Sequence, residues 1–231
     1  MPSSEPPLPE ALIAAALRER LALFGALHPD PDPCLPESAG LGPDGGKNSG
    51  TLLLFGPAEP GFWDHFTAQP EYSDGAPDPL DRWSKRVLVP LAQAAGGTAL
   101  FPSDGPPYPP FIAWALASGQ AFTSPVGLLV HHTAGLMVSY RGAIYLPTRH
   151  ALPVTAANPC ESCAAQPCRT ACPVAALTPA GYDIPACKSF LATPEGTDCM
   201  TQGCAVRRAC PLSQTYGRLP GQSAFHMKAF R

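Results

Sequence analysis

Eight of the nine cysteines in this 231-residue chain lie between residues 160 and 210, and this clustering limits what the chain can be more than any other feature. The first four form the run C-E-S-C-A-A-Q-P-C-R-T-A-C-P, that is Cys160, Cys163, Cys168 and Cys172, followed by Pro173. Cys187 then stands alone, and the last group is Cys199, Cys204 and Cys210, followed by Pro211. So many thiols in so short a segment indicate metal ligands.

The spacing is similar to the run C-x2-C-x2-C-x3-C-P of bacterial ferredoxins, in which the fourth cysteine binds the other cluster. The second gap is four residues here instead of two, whereas the C-x3-C-P ending is intact. The resemblance implies two [4Fe–4S] clusters with crossed ligands. One cluster is assigned to Cys160, Cys163, Cys168 and Cys210, and the other to Cys172, Cys187, Cys199 and Cys204. We therefore expect an electron-transfer protein, either a ferredoxin-like carrier or a component of a reductase, that meets a redox partner protein.

Two other uses of the cysteines stay open at this stage. A zinc-stabilised binding module would use short C-x2–4-C pairs, such as the C-x2-C pair of Cys160 and Cys163. Disulfides suit an oxidising compartment, but the N-terminal sequence MPSSEPPLPE lacks the basic and apolar regions of a signal peptide. No apolar run is long enough to span a membrane, so a cytoplasmic location is predicted. Cys34, far from the others, is interpreted as an ordinary loop or buried thiol.

The charge is unevenly distributed along the chain. The net charge is −3, which gives no indication of nucleic-acid binding. Residues 158–231 carry seven Lys or Arg and four Asp or Glu, so the last third is positive and the rest is negative. A positive excess suits ionised thiolates, although chance would also produce it in so small a sample.

Residues 1–150 show alternating helix and strand patterns, which indicate an α/β or α+β arrangement of layers. The predicted elements are a helix over 9–24, a Pro- and Gly-rich loop over 29–50, a strand over 51–55, a helix starting at Asp78-Pro79, a strand over 98–101, a helix over 111–118, and strands over 126–131 and 136–146 joined by a turn at 133–135. We predict an α/β domain over 1–155, a two-cluster module over 156–215 and a C-terminal tail over 216–231.

The cysteine region also resembles a known enzyme family. Residues 126–217 are similar to the C-terminal part of epoxyqueuosine reductases, where a cysteine run ending in C-P precedes an isolated cysteine in a Cys-x-Ser-Tyr-Leu segment. The corresponding segment here is CKSFL, Cys187–Leu191, and a second group ending in C-P follows it. The four-one-three division of the cysteines matches that family.

Residues 51–147 resemble the cobalamin-processing CblC family, through the segment LLVHHTAGLMVSYRGAIYLP over 128–147. The resemblance implies a nitroreductase-like fold, a corrinoid ligand, and His131 and Arg141 as its contacts. The alternative function is thus a corrinoid-binding reductase whose clusters reduce cobalt. Both residues also have a purely structural interpretation. His131 would be a strand histidine with its hydrogen bonds satisfied, and Arg141 would pair with an internal acid.

Overall fold

The computed structural model describes residues 5–30, 34–35 and 50–231. Most of the predicted loop over 29–50 lies outside the described residues. The chain divides into two compact units. The first comprises Met1–Gln120 and Ser139–Thr155, and the second comprises Ala121–Val138 and Ala156–Arg231.

The described residues form a mixed α/β structure with small sheets, as the sequence predicted. The helices are α1 (Glu10–Arg18), α2 (Phe62–Thr67), α3 (Pro70–Ser73), α4 (Pro79–Ala94), α5 (Phe111–Ala117), α6 (Ile184–Leu191), α7 (Thr197–Gln202), α8 (Ala205–Ala209), α9 (Pro211–Thr215) and α10 (Pro220–Phe230). The strands are β1 (Leu21–Leu27), β2 (Thr51–Pro57), β3 (Thr98–Leu100), β4 (Ala121–Thr123), β5 (Leu129–His131), β6 (Gly142–Leu146), β7 (Leu177–Thr178) and β8 (Gly181–Tyr182). Among the described residues, no helix is long and apolar enough to cross a membrane.

The first unit is built on an antiparallel sheet with the strand order β1-β2-β6-β3. Strand β2 is buried along its whole length, which explains why its sequence is almost continuously apolar. Helix α4 begins at Pro79, where proline loses no needed hydrogen bond, and it buries Trp83 and Leu88 completely. The predictions of a strand from Thr51 and a helix after Asp78 are confirmed.

The predicted helix over 9–24 is wrong in its second half. Helix α1 ends at Arg18, and Arg20 has a φ of 57°, which lies in the left-handed region and stops the helix. The apolar residues Leu21 and Phe24, which had matched a helical period, lie in strand β1 and are buried there. Pairing with β2 therefore decides the conformation of this segment.

The strands predicted over 126–131 and 136–146 form only in part, as β5 and β6, and they do not pair with each other. Strand β5 pairs with β4, whereas β6 pairs with β2 and β3 in the sheet of the first unit. The turn itself exists, because the backbones of His131 and Gly135 exchange two hydrogen bonds of 3.0 and 2.9 Å. Gly135 has a φ of 56°. The chain after it does not run back along β5 but continues to β6 in the other sheet.

Residues 216–231, described above as a tail, contain helix α10. It packs against α7 in the second unit, with Gln222 fully buried and Ser223 only 5% exposed. A Cβ added at Gly203 would lie 2.6 Å from the Cβ of Ser223, so the two segments are in close contact. The C-terminal helix thus belongs to the part of the unit that carries Cys199 and Cys204.

Candidate metal centre

Four of the cysteines line a single cavity of about 280 Å³ in the second unit. They are Cys160, Cys163, Cys168 and Cys210, called the first set here. Cys168 lies in the 3-10 turn Pro167–Arg169, and Cys210 is the residue before α9. These cysteines are the four that the crossed assignment gives to one cluster.

Prolines shape the backbone around the first set. Pro167 begins the 3-10 turn after Gln166, whose φ of 38° reverses the chain direction. Pro211 begins α9 directly after Cys210. Together with Pro125 and Pro159, they make four prolines in the lining, which also includes apolar side chains of Val130, Leu136 and Leu212. The cavity is therefore poor in backbone N–H donors, since proline has none.

One buried polar atom of this lining lacks a hydrogen-bond partner among the described residues. The hydroxyl of Ser124 is buried, and it has no hydrogen-bond partner among the described residues. A buried hydroxyl is normally paired, because an unpaired one loses its hydration without compensation. A sulfur-rich group bound between the four thiolates would offer this hydroxyl an acceptor, so the donor set and the lining fit such a group.

The other four cysteines, the second set, come from four consecutive segments. Cys172 follows the 3-10 turn, Cys187 lies in α6, Cys199 lies in α7, and Cys204 is the N-terminal flanking residue of α8. Two of their sulfur atoms accept hydrogen bonds. The backbone N–H of Ala176 donates to Cys172 Sγ, and the hydroxyl of Tyr182 donates to Cys187 Sγ, both at 3.2 Å.

The electrostatic surroundings of the thiols follow the same two sets. In the first set, burial raises the pKa of Cys160 and of Cys168, and the nearby charges of Cys210 and Cys163 raise both further. A neighbouring negative charge raises the pKa of a thiol because it disfavours the thiolate, and the effect grows as the distance falls. The four thiols of the first set are thus mutual neighbours.

The same relation holds in the second set. Burial raises the pKa of Cys187, the hydrogen bond from Tyr182 lowers it, and the charges of Cys204 and Cys172 raise it again. Burial also raises the pKa of Cys199, which a hydrogen bond from the Ala205 backbone lowers and the charge of Cys204 raises. Cys204 is therefore a neighbour of both Cys187 and Cys199, and Cys187 is a neighbour of Cys172.

The sulfur atoms do not converge on one point. Within the described ranges, no group of three or more His, Cys, Asp or Glu side chains is arranged to hold a single metal ion. A cubane cluster does not require the cysteine sulfurs to meet at one point, because each thiolate binds a separate iron atom. All nine cysteines are free thiols in the structure.

Three side chains near the thiols were not predicted from the sequence: Ser124, Tyr182 and Arg207. Arg207 follows Cys204 by three residues and lies in α8. It is half-buried, and its guanidinium donates a hydrogen bond to the carbonyl oxygen of Leu136. Burial lowers the pKa of Arg207, whereas the neighbouring thiolate of Cys204 raises it. The helical spacing of Arg207 from Cys204 was the one sequence signal that could have found it.

His131 and Arg141, predicted as corrinoid contacts, lie in different units. His131 is buried, and its Nδ1 accepts hydrogen bonds from the backbone N–H groups of Thr133 and Ala134. Arg141 is also buried, with Nη1 4.0 Å from Asp81 Oδ1. Its Nε has no hydrogen-bond partner among the residues that the structure describes.

Comparison with known proteins gives no relative of this chain. No protein-family model, no curated protein and no solved structure matches it. The function is therefore inferred from the arrangement of the cysteines and of the side chains around them.

Proposed function

We propose that this chain is an iron–sulfur protein that binds two [4Fe–4S] clusters and transfers electrons. The observation that carries the proposal is the separation of eight cysteines into two spatial sets of four. The sets have the membership that the crossed ligand rule of two-cluster ferredoxins requires. A ferredoxin-like arrangement of the second unit is part of this proposal.

Each set of cysteines has a defined role in the proposed function. The first set would hold one cluster in a cavity where Val130, Leu136 and Leu212 exclude water. The second set would hold the other, with Tyr182 and the Ala176 backbone donating hydrogen bonds to ligand sulfurs. A bound [4Fe–4S] cluster supplies one-electron oxidation and reduction, and hydrogen bonds and solvent exclusion at its ligands adjust the potential.

The proposed activity requires a donor and an acceptor of electrons. We propose a redox partner protein for at least one of these roles, in keeping with a ferredoxin-like carrier or a reductase component. The cytoplasmic location inferred from the N-terminal sequence stays a prediction.

The test is anaerobic purification of the full chain followed by analysis of its metals. We expect a brown protein with broad absorbance near about 400 nm that bleaches with dithionite, and about eight irons and eight sulfides per chain. Cys34→Ala is the matched control and should retain the same content. Stoichiometric zinc without sulfide would overturn the proposal in favour of the zinc-stabilised module.

A second candidate function is supported by Arg141. A buried guanidinium with an unpartnered Nε is costly, and a ligand with polar groups would remove this cost. We propose as an alternative that the first unit is nitroreductase-like and binds a corrinoid, which the clusters would reduce. Arg141 is the residue of this unit that would contact the ligand.

A further inference from the structure

The two cysteine sets differ in the charges and hydrogen-bond donors around them. On the basis of the proposed function, we infer that the second set holds the cluster of higher reduction potential, because Arg207 and Tyr182 stabilise the negative charge gained on reduction. Tyr182 donates a hydrogen bond to a ligand sulfur, Arg207 acts on the second set through its charge, and neither residue is a ligand itself. They therefore act through the ligands, and the difference in potential that they produce sets the direction of electron flow within the unit.

Tyr182 acts through its hydrogen bond to Cys187 Sγ, which is 3.2 Å long. Its ring stacks on Phe230 of α10, with the ring centres 6.1 Å apart and the planes at 11°. Tyr182 is 37% exposed, and the contact with Phe230 restricts the motion of its side chain. A hydrogen bond to a ligand sulfur favours the more negative, reduced state of a cluster.

Arg207 acts through its charge. Arg207 is half-buried, and its guanidinium is an electrostatic neighbour of Cys204 and Tyr182. An arginine keeps its proton in a protein, and a charge in a medium of low dielectric constant acts more strongly than one in water. The hydrogen bond to the Leu136 carbonyl holds the guanidinium at this position.

The first set lacks an equivalent of these two residues in its cavity lining. Four prolines and three aliphatic side chains make up half of that lining, and the Ser124 hydroxyl is a neutral group. The cation that acts on this set is Arg169, which neighbours Cys168 but is exposed to solvent. Water and salt screen an exposed charge, so its effect on a cluster is weaker than that of a buried one.

The consequence is a direction for the transfer of one electron. After a low-potential one-electron donor has reduced the first site, Arg207 and Tyr182 favour the presence of that electron at the second site. The first cluster is then oxidised by one electron and the second is reduced by one, and no bond or proton changes place.

The test is a potentiometric titration of the full, anaerobically purified chain, followed by EPR. We expect two one-electron potentials in the unmodified protein. Arg207→Gln and Tyr182→Phe should each lower only the higher potential, corresponding to about a tenfold change in the reduction equilibrium, or about 59 mV for one electron. Arg207→Lys keeps the positive charge, so its higher potential should stay close to that of the unmodified protein. The matched control Arg169→Gln should leave the higher potential unchanged.

The possible failures can be told apart. If the variants contain eight irons and both potentials are unchanged, or if the lower potential shifts instead, the inference is wrong and the proposed function stands. If the unmodified chain binds neither iron nor sulfide, the proposed function and the inference both fail. Should Arg207→Gln lose its second cluster, the result with Tyr182→Phe decides, because that change removes only one hydroxyl.

Discussion

At the scale of single residues, Cys172 and Cys210 decide how the two cysteine groups of the sequence are connected. Each is followed by proline, and each belongs in space with cysteines from the other group. Cys210 lines the cavity with Cys160, Cys163 and Cys168, whereas Cys172 is a neighbour of Cys187. Sequence proximity alone would have divided the ligands differently.

This arrangement makes a prediction about the loss of a single ligand. Cys210→Ala should damage the cluster held by Cys160, Cys163 and Cys168, and Cys172→Ala should damage the other one. EPR of the reduced variants, together with iron analysis, measures the result. A normal signal from the first cluster in Cys210→Ala would show that the assignment is wrong, and Cys34→Ala should change neither signal.

At the scale of secondary-structure elements, two glycines in the second unit with positive φ have different surroundings. A Cβ at Gly135 would lie 2.6 Å from the backbone nitrogen of Ser213, whereas a Cβ at Gly127 would meet nothing within 4 Å. Ser213 lies in α9, which begins directly after Cys210, and its hydroxyl accepts a hydrogen bond from the Leu136 backbone. The turn at Gly135 and the position of Cys210 are therefore coupled.

Gly135→Ala should consequently be more harmful than the matched control Gly127→Ala. Both changes place a side chain at positive φ, which costs about 1 kcal/mol. Only the first also forces α9 to move, which should cost about 1–3 kcal/mol more and reduce the iron bound by the first set. Thermal unfolding and iron content measure the difference, and equal effects of the two changes would contradict the coupling.

Helix α10 gives a second prediction at this scale. Because it packs against α7 and contacts Gly203, its removal should loosen Cys199 and Cys204. A chain that ends at residue 218 should retain about four irons instead of about eight, with the remaining cluster on the first set. Removal of Arg231 alone, an exposed residue beyond the helix, is the control. A truncated chain with eight irons would show that α10 does not support the second set.

At the scale of the whole molecule, the corrinoid alternative concerns the first unit. If this unit binds a corrinoid, the full chain should bind hydroxocobalamin with a Kd of about 1 μM or lower, near −8 kcal/mol. Arg141→Gln should weaken the binding about tenfold or more, whereas Arg18→Gln, on the exposed face of α1, should not. Calorimetry and the cobalamin spectrum measure the binding. No heat and no spectral change would eliminate this alternative and leave the plain electron carrier.

Local patterns in the sequence predicted several features of this protein correctly. The buried strand from Thr51 and the helix after Asp78 follow from apolar runs and a helix-start signal that act over a few residues. The assignment of the cysteines to two crossed sets of cluster ligands rests on the resemblance of the C-P endings to those of ferredoxins, and it stays a prediction. The strand and the helix each depend on residues that are close together in the chain.

Only the tertiary structure decided the features that depend on distant partners. Leu21 and Phe24 fit a helical period, but pairing with β2 places them in a strand. The segment after Gly135 leaves β5 and joins another sheet, which the hydrophobic pattern does not show. Tyr182 and Arg207 are ordinary residues in the sequence, and their positions beside the second set depend on the packing of the whole unit. The physical reason is that burial and charge proximity depend on long-range contacts, which no local pattern encodes.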